Sequence, residues 1–186
     1  MGVFLFLSLF FSIFLTENLT KVNVTEEITM MIPGQFRLMT DDEIASRYFS
    51  TKRPVAIYTN PSVTIDLGVN KSVTQWSTDD LEIMVSFQKS NIYNFYDEIE
   101  MVSQGVKEVN GKKAAYFEFV STVKADSNTQ SFRSQSAVKK YTYIQYMIVG
   151  KHSWVFNFSS PLQLQNEWQP QLADIMNSVE FIKKKK

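Results

Sequence analysis

The chain contains no cysteine, and this absence excludes several kinds of chemistry. Disulfide bonds, thiolate nucleophiles and cysteine-ligated zinc or iron–sulfur sites all need that side chain. His152 is the only histidine, so it is the only base available for a serine-type catalytic triad. The Gly-x-Ser-x-Gly motif of such hydrolases is also missing. We therefore predict no metal, no cofactor and no histidine-based catalysis, and we interpret His152 as a surface or edge-strand residue.

The sequence also lacks an excess of charge of either sign and a glycine-rich loop. The 19 basic residues are balanced by 19 acidic residues, and the six glycines form no phosphate-binding motif. The longest run of like charge is Lys183–Lys186, which is typical of a solvated tail. Because no basic stripe with interleaved aromatic residues occurs elsewhere, we predict that nucleic acid is not a partner.

The sequence begins with an apolar run over residues 3–15 that contains no charged side chain. This run is shorter than the roughly 20 residues that a helix needs to cross a bilayer. Its length is typical of the hydrophobic part of a signal peptide, although no Lys or Arg precedes it and no Ala-x-Ala site follows it. We predict residues 1–16 as a signal peptide or short hydrophobic leader. The alternatives are an uncleaved short anchor and a buried hydrophobic segment.

This leader predicts an exported protein, periplasmic or extracellular, that contacts the membrane only through the leader if it is not cleaved. The absence of cysteine fits a bacterial envelope, since many exported eukaryotic domains of this size carry disulfides. We predict a polar spacer over residues 17–27, one globular domain over residues 28–182 and the lysine tail over residues 183–186.

Strand and helix patterns divide the globular domain. Turn residues separate apolar runs that predict strands at 28–32, 55–58, 63–69, 100–109, 112–123, 138–149 and 152–159. Capping motifs predict helices that begin after Thr40 and after Ser77. An apolar stripe from Leu164 to Val179 predicts a last helix, which begins near Pro170 or is longer and kinked there. Residues 124–136 are polar and predict an exposed, mobile loop.

Two hairpins dominate the predicted sheet. Asn110-Gly111 supplies the two positive-φ residues of a type I′ turn between the strands at 100–109 and 112–123. The strands at 138–149 and 152–159 form the second hairpin, and their Tyr, Phe, Val and Ile content predicts central positions. The fold class is therefore α+β, with an antiparallel sheet of about six strands flanked by helices as an α/β/α sandwich.

Several phrases of the sequence resemble the PsbP/Mog/DcrB-like superfamily. They are Met31-Ile32-Pro33-Gly34-Gln35-Phe36-Arg37-Leu38-Met39, Asn110-Gly111-Lys112-Lys113-Ala114-Ala115-Tyr116 in the first hairpin, and Ile175-Met176-Asn177-Ser178-Val179-Glu180-Phe181 in the last helix. The resemblance implies an antiparallel sheet between helices and a non-catalytic accessory or binding protein. It carries over no functional residue, because these motifs concern packing and turns.

Three acidic clusters are candidates for carboxylate chemistry: Asp41-Asp42-Glu43, Asp79-Asp80-Glu82 and Asp97-Glu98-Glu100. Two carboxylates that lie ~5 to 9 Å apart can act as acid and base in the cleavage of a glycosidic bond. Carboxylate oxygens are also the ligands that hard cations prefer. The first two clusters begin predicted helices, where acidic side chains cap backbone N–H groups. We interpret them as capping residues and predict no catalytic, cofactor-binding or metal-binding residue.

Aromatic residues are the remaining candidates for a contact surface. Trp76, Tyr93, Phe95 and Tyr96 flank the second helix, and Tyr141, Tyr143 and Tyr146 lie on one strand. Residues two apart on a strand share a face, so Tyr141 and Tyr143 should face together and Tyr146 should face the other way. Most of these rings are expected in the core, but such rings also form contact patches.

We therefore predict an exported, non-enzymatic, envelope-associated accessory or binding domain whose partner is an unknown protein or envelope component. The alternatives are a carboxylate-based hydrolase, for example a glycosidase, and a structural domain without a specific ligand.

Overall fold

The computed structural model describes residues 18–48, 53–123 and 138–182. These residues form three α-helices: α1 (Asp41–Arg47), α2 (Leu81–Phe95) and α3 (Gln165–Asn177). They also form ten strands: β1 (Leu19–Asn23), β2 (Ile28–Pro33), β3 (Arg37–Leu38), β4 (Ala56–Thr59), β5 (Asp66–Lys71), β6 (Glu98–Val109), β7 (Lys112–Val123), β8 (Val138–Val149), β9 (His152–Pro161) and β10 (Glu180–Phe181). The predicted leader, the loop at 124–136 and the lysine tail lie outside the described residues.

The strands build two antiparallel sheets. The main sheet has seven strands in the order β3-β4-β5-β9-β8-β7-β6, and the small sheet has the order β1-β2-β10. α3 and the small sheet cover one face of the main sheet, where Trp168 and Ile28 join the same core as Tyr141. α2 covers the other face, where Met84 packs with Tyr146. The predicted α+β class, with helices on both sides of an antiparallel sheet, is confirmed.

The two predicted hairpins are also present. Asn110 and Gly111 have φ angles of 47° and 74°, as the type I′ prediction requires. β8 and β9 pair with each other, and each has a further strand on its other side, so both are central as predicted. β6 is an edge strand of the main sheet.

The prediction of a polar spacer over residues 17–27 is wrong for β1. This strand pairs with β2 from Leu19 opposite Pro33 to Asn23 opposite Thr29. Leu19 and Val22 are half-buried and pack against the core, although polar residues separate them in the sequence. The folded domain therefore begins before residue 28.

The last helix also differs in its bounds. α3 begins at Gln165 and contains Pro170, so the longer of the two predicted helices is the observed one. It ends at Asn177, whereas the apolar stripe had extended the prediction to Val179. Ser178 caps the helix, and β10 follows and pairs with β2, which the helical periodicity could not reveal. In the described part of the chain, no helix combines the length and hydropathy needed to cross a membrane.

Candidate functional site

A recess of about 320 Å³ lies between α3 and strands β6, β7 and β8, at the edge of the main sheet. We call it the α3 pocket. Its polar groups come from both layers, and the residues that define it are Lys107, Tyr116, Glu118, Tyr143, Gln169 and Asn177.

Strand alternation and helix periodicity bring these residues together. Tyr116 and Glu118 are two apart on β7 and so share a face, and Glu118 lies opposite Tyr143 of β8. On α3, Gln169 and Asn177 are eight residues apart and therefore lie near the same side of the helix. The pocket thus forms where one face of the sheet edge meets one side of α3.

A glycine makes room for the aromatic floor of the pocket. Gly105 of β6 lies opposite Tyr116, and a Cβ atom at residue 105 would come within 3.3 Å of the Tyr116 ring. The Tyr116 ring stacks on that of Tyr143, with centroids 5.6 Å apart and planes only 4° from parallel. Ser103 lies 3.2 Å from the Tyr116 hydroxyl and links β6 to this pair.

Lys107 places its ammonium group beside the stacked rings. Its Nζ donates to Tyr143 Oη at 3.0 Å and to Asn177 Oδ1 at 2.7 Å. The same atom lies 5.5 and 5.4 Å from the ring centroids of Tyr116 and Tyr143, within the range of cation–π attraction. Burial lowers the pKa of Lys107 to about 8. The cation is therefore held by neutral groups in a partly dehydrated place.

Glu118 is the carboxylate of the pocket, and it too is held by neutral donors. Its Oε1 atom accepts hydrogen bonds from Tyr141 Oη and from Gln169 Nε2, both at 2.7 Å. The residue is only 9% exposed. Burial, and then the hydrogen bond to Glu118, raise the pKa of Tyr141. Tyr141 therefore stays protonated at neutral pH and can keep donating to the carboxylate.

The two charges of the pocket form no direct ion pair with each other. The ion pairs found among the described residues include neither Lys107 nor Glu118. A buried charge without an opposite partner is costly, and proteins tolerate it where hydrogen bonds or a ligand compensate. The pocket therefore offers a cation and an anion that are both open to an incoming group.

The predicted acidic clusters lie elsewhere and begin three different elements. Glu43 closes the capping box of α1: it accepts from Thr40 N at 2.9 Å and donates its own N–H to Thr40 Oγ1 at 3.3 Å. It also pairs with both terminal nitrogens of Arg37, which lowers the pKa of Glu43 to about 2. Asp80 accepts from Ser77 N at 2.9 Å in the same kind of box. The capping interpretation of these two clusters is confirmed.

The described ranges contain no group of three or more His, Asp or Glu residues that could hold a metal ion. Glu98 begins β6, and Asp97 directly precedes it. In the α3 pocket, Glu118 is the only acidic residue among those that line it. This geometry does not favour an acid and base pair at the pocket. His152 is exposed at the first position of β9, as predicted.

The aromatic predictions divide between core and surface. Tyr141 and Tyr143 face α3 and Tyr146 faces α2, as the alternation predicted. Tyr93 and Phe95 are exposed, Phe95 by 79%. Most of these rings were expected in the core, but Phe95 is the last residue of α2 and extends into solvent.

The sequence interpretation missed the α3 pocket. Glu118 stands inside the apolar run Tyr116-Phe117-Glu118-Phe119-Val120, and an acidic residue in such a run is a sign of a special environment. Lys107 had no such sign, because β6 alternates exposed and half-buried residues along most of its length. Its role depends on its approach to Asn177, 70 residues later in the chain.

Comparison of the structure with solved structures identifies similar proteins, whereas comparison of the sequence does not. No known family matches the sequence, and no curated protein matches it. Cyanobacterial PsbP (CyanoP) from Synechocystis sp. PCC 6803 is similar with a TM-score of 0.59 and 10% identity, over 90% of this chain and 94% of that one.

Two further solved structures are similar to the same degree. LpqN, described as involved in cell envelope biogenesis of Mycobacterium tuberculosis, has a TM-score of 0.58 and 9% identity, over 89% of this chain and 91% of its own. The Saccharomyces cerevisiae Ran-binding protein Mog1p has a TM-score of 0.57 and 11% identity, over 89% and 96%. At such low identity the likeness concerns the fold alone. This chain therefore has the fold seen in PsbP, LpqN and Mog1p.

Proposed function

We propose that this protein is an exported, non-enzymatic accessory domain that binds a component of the cell envelope through the α3 pocket. The observation that carries the proposal is the pair of charges in the pocket, Lys107 and Glu118, each held by neutral partners. Groups arranged in this way are ready to bind a ligand, and they cost stability if nothing binds.

Two further points support an envelope role. The apolar run at residues 3–15 has the length of a signal peptide core. Among proteins of the same fold, LpqN is described as acting in cell envelope biogenesis and Mog1p as binding Ran. Fold likeness alone does not transfer function, so these names serve only as support for a binding role.

The export part of the proposal is tested by fractionation of cells that produce the full chain. We expect the protein in the periplasmic, extracellular or membrane fraction. The mass of the purified protein then shows whether the leader has been removed. Recovery of the full-length chain in the cytosol would contradict export.

The binding part is tested by crosslinking in intact cells, followed by purification of the tagged full chain and mass spectrometry. Lys107→Met and Glu118→Gln remove the two charges of the pocket. Lys89→Met is the matched control, because Lys89 is a half-buried lysine on α2, which packs against the opposite face of the main sheet. We expect one envelope component that crosslinks to the wild type and to the control at least fivefold more than to the pocket variants. Equal recovery with all four proteins would contradict a role for the pocket.

A further inference from the structure

We infer that the α3 pocket binds a small zwitterion, an amino acid or very short peptide, with Glu118 receiving its ammonium group and Lys107 its carboxylate. This inference rests on the proposed function and specifies the ligand of the same pocket. It follows from the hydrogen bonds that the pocket leaves unused, from its size and from its mixed charge.

Lys107 and Tyr143 keep donors available for a carboxylate. An ammonium group has three N–H donors, and Tyr143 and Asn177 accept two of them. The Tyr143 hydroxyl accepts the bond from Lys107, so its own hydrogen remains for an acceptor. Burial raises the pKa of Tyr143, which keeps this hydrogen in place at neutral pH. A carboxylate beside these two residues would receive two adjacent donors.

Glu118 keeps an acceptor available for an ammonium group. Its Oε1 atom already accepts hydrogen bonds from Tyr141 and Gln169. Within the described ranges no donor bonds to its Oε2 atom, and Glu118 lines the pocket. A primary ammonium group of a ligand would bond to this oxygen and would replace the missing opposite charge.

The mixed charge of the pocket discriminates against simpler ions. A lone anion that approaches Lys107 is repelled by Glu118, and a lone cation that approaches Glu118 is repelled by Lys107. A ligand that carries both charges gives each of the two residues an opposite partner. The electrostatics therefore select for a zwitterion over either ion alone.

The size and the apolar wall restrict the zwitterion further. A volume of about 320 Å³ is at the lower end of small-molecule pockets, which begin near ~300 Å³. Leu172 and Ala173 of α3 line the pocket beside Gln169. An aliphatic side chain would contact these residues, so leucine and the dipeptide Ala-Ala are suitable probes.

The test is calorimetric titration of the full chain, as purified from its producing cells, at pH 7. L-leucine and Ala-Ala are compared with N-acetyl-leucine, which lacks the ammonium group, with leucine amide, which lacks the carboxylate, and with inorganic phosphate. We expect at least one of the two zwitterions to bind at least tenfold more tightly than each of the three single-charge probes. If neither zwitterion binds at millimolar concentration, or if a single-charge probe binds as tightly as the better zwitterion, the inference is wrong.

Two variants test which residue binds which charged group of the ligand. Glu118→Gln should lose the preference for leucine over N-acetyl-leucine, and Lys107→Met should lose the preference for leucine over leucine amide. Lys89→Met should bind as the wild type does. A variant that changes both preferences equally would contradict the assigned orientation, and circular dichroism of each variant verifies that it is folded.

The two proposals fail separately. If the crosslinked envelope component depends on Lys107 while no zwitterion binds, the pocket has a different ligand and only the zwitterion inference falls. If a zwitterion binds while no component is crosslinked, the proposal of an envelope partner is wrong, whereas the zwitterion inference is supported.

Discussion

Replacement of Lys107 by methionine should stabilise the folded protein at neutral pH, although it removes a group of the proposed binding site. The lysine is partly buried in the α3 pocket, and burial lowers its pKa from 10.5 to about 8. Below pH 8 the folded protein carries the dehydrated charge, whereas the unfolded chain carries the same charge in water. The charged form therefore costs folding free energy, and methionine fills a similar volume without this cost.

The magnitude follows from the shift. One pKa unit corresponds to about 1.4 kcal/mol, so the full shift would amount to about 3 kcal/mol for a completely dehydrated group. Because the pocket is open to solvent, and because Tyr143 and Asn177 lose a partner in the variant, we expect a net gain of ~1 kcal/mol.

The sign of the pH dependence gives a second check. Between pH 8 and 10.5 the unfolded chain binds more protons at this residue than the folded protein does, so this residue makes stability rise with pH in that interval. The advantage of the methionine variant should therefore shrink from pH 7 to pH 10. The ionisable groups around Lys107, namely Tyr116, Tyr141, Tyr143 and Glu118, are present in both proteins.

The assay is urea unfolding of the wild type, Lys107→Met and the control Lys89→Met at pH 7 and pH 10, followed by circular dichroism. The reasoning is refuted if Lys107→Met is less stable than the wild type at pH 7, or if its advantage is the same at both pH values. A stabilised variant that also loses the crosslinked partner would show that Lys107 serves binding at the expense of stability.

Three further predictions concern the scaffold. Asp66→Ala should lower the free energy of unfolding by about 2 to 3 kcal/mol in urea titrations, because buried Asp66 pairs through both oxygens with Arg47, at 3.1 and 3.0 Å. Asn110→Gly should cost about 1 kcal/mol in the same assay, since it keeps the turn but removes the bond of 2.8 Å to Val179 O. An NMR titration of the Glu43 carboxyl group should have its midpoint at about pH 2, so its stabilisation of α1 is present above pH 4.5 and is lost as the pH falls towards 2.

Matched variants separate these effects from general damage. Asp66→Asn keeps the size of the side chain but removes its charge, so it should cost about as much as alanine, and a much smaller cost would contradict the ion-pair argument. Asn110→Ala should cost more than Asn110→Gly because its φ is 47°, and the opposite order would contradict the turn argument. Arg37→Gln should return the Glu43 midpoint towards its ordinary value.

Local features of the fold could be predicted from the sequence because they depend on neighbouring residues. Asn110-Gly111 defines its turn through two φ angles, and the capping box of Thr40 and Glu43 spans only four residues. The facing of Tyr141 and Tyr143 follows from strand alternation. In each case the physical cause lies within a short stretch of chain.

Features that depend on distant pairing could not be predicted. β1 is polar in composition and is a strand because β2 lies beside it, and β10 has only two residues. The α3 pocket needs α3 to lie over β6, β7 and β8, which no local pattern reveals. Nothing in the sequence distinguishes Lys107 from other strand lysines. In the structure its ammonium group lies beside the stacked rings of Tyr116 and Tyr143 and donates to Asn177.

The small sheet has a consequence for the order in which the chain folds. One edge of β2 stays unpaired until β10 has been made, since Glu180 and its neighbour Thr29 are 151 residues apart. In contrast, β6 pairs with β7 and β8 pairs with β9 as hairpins between adjacent segments. Closing a long loop costs more entropy, so we expect the hairpins first and the docking of β10 last. A chain that crosses a membrane unfolded, N-terminus first, would expose the free edge of β2 until Phe181 emerged. That edge is where a chaperone, or a second nascent copy, would find an unpaired strand.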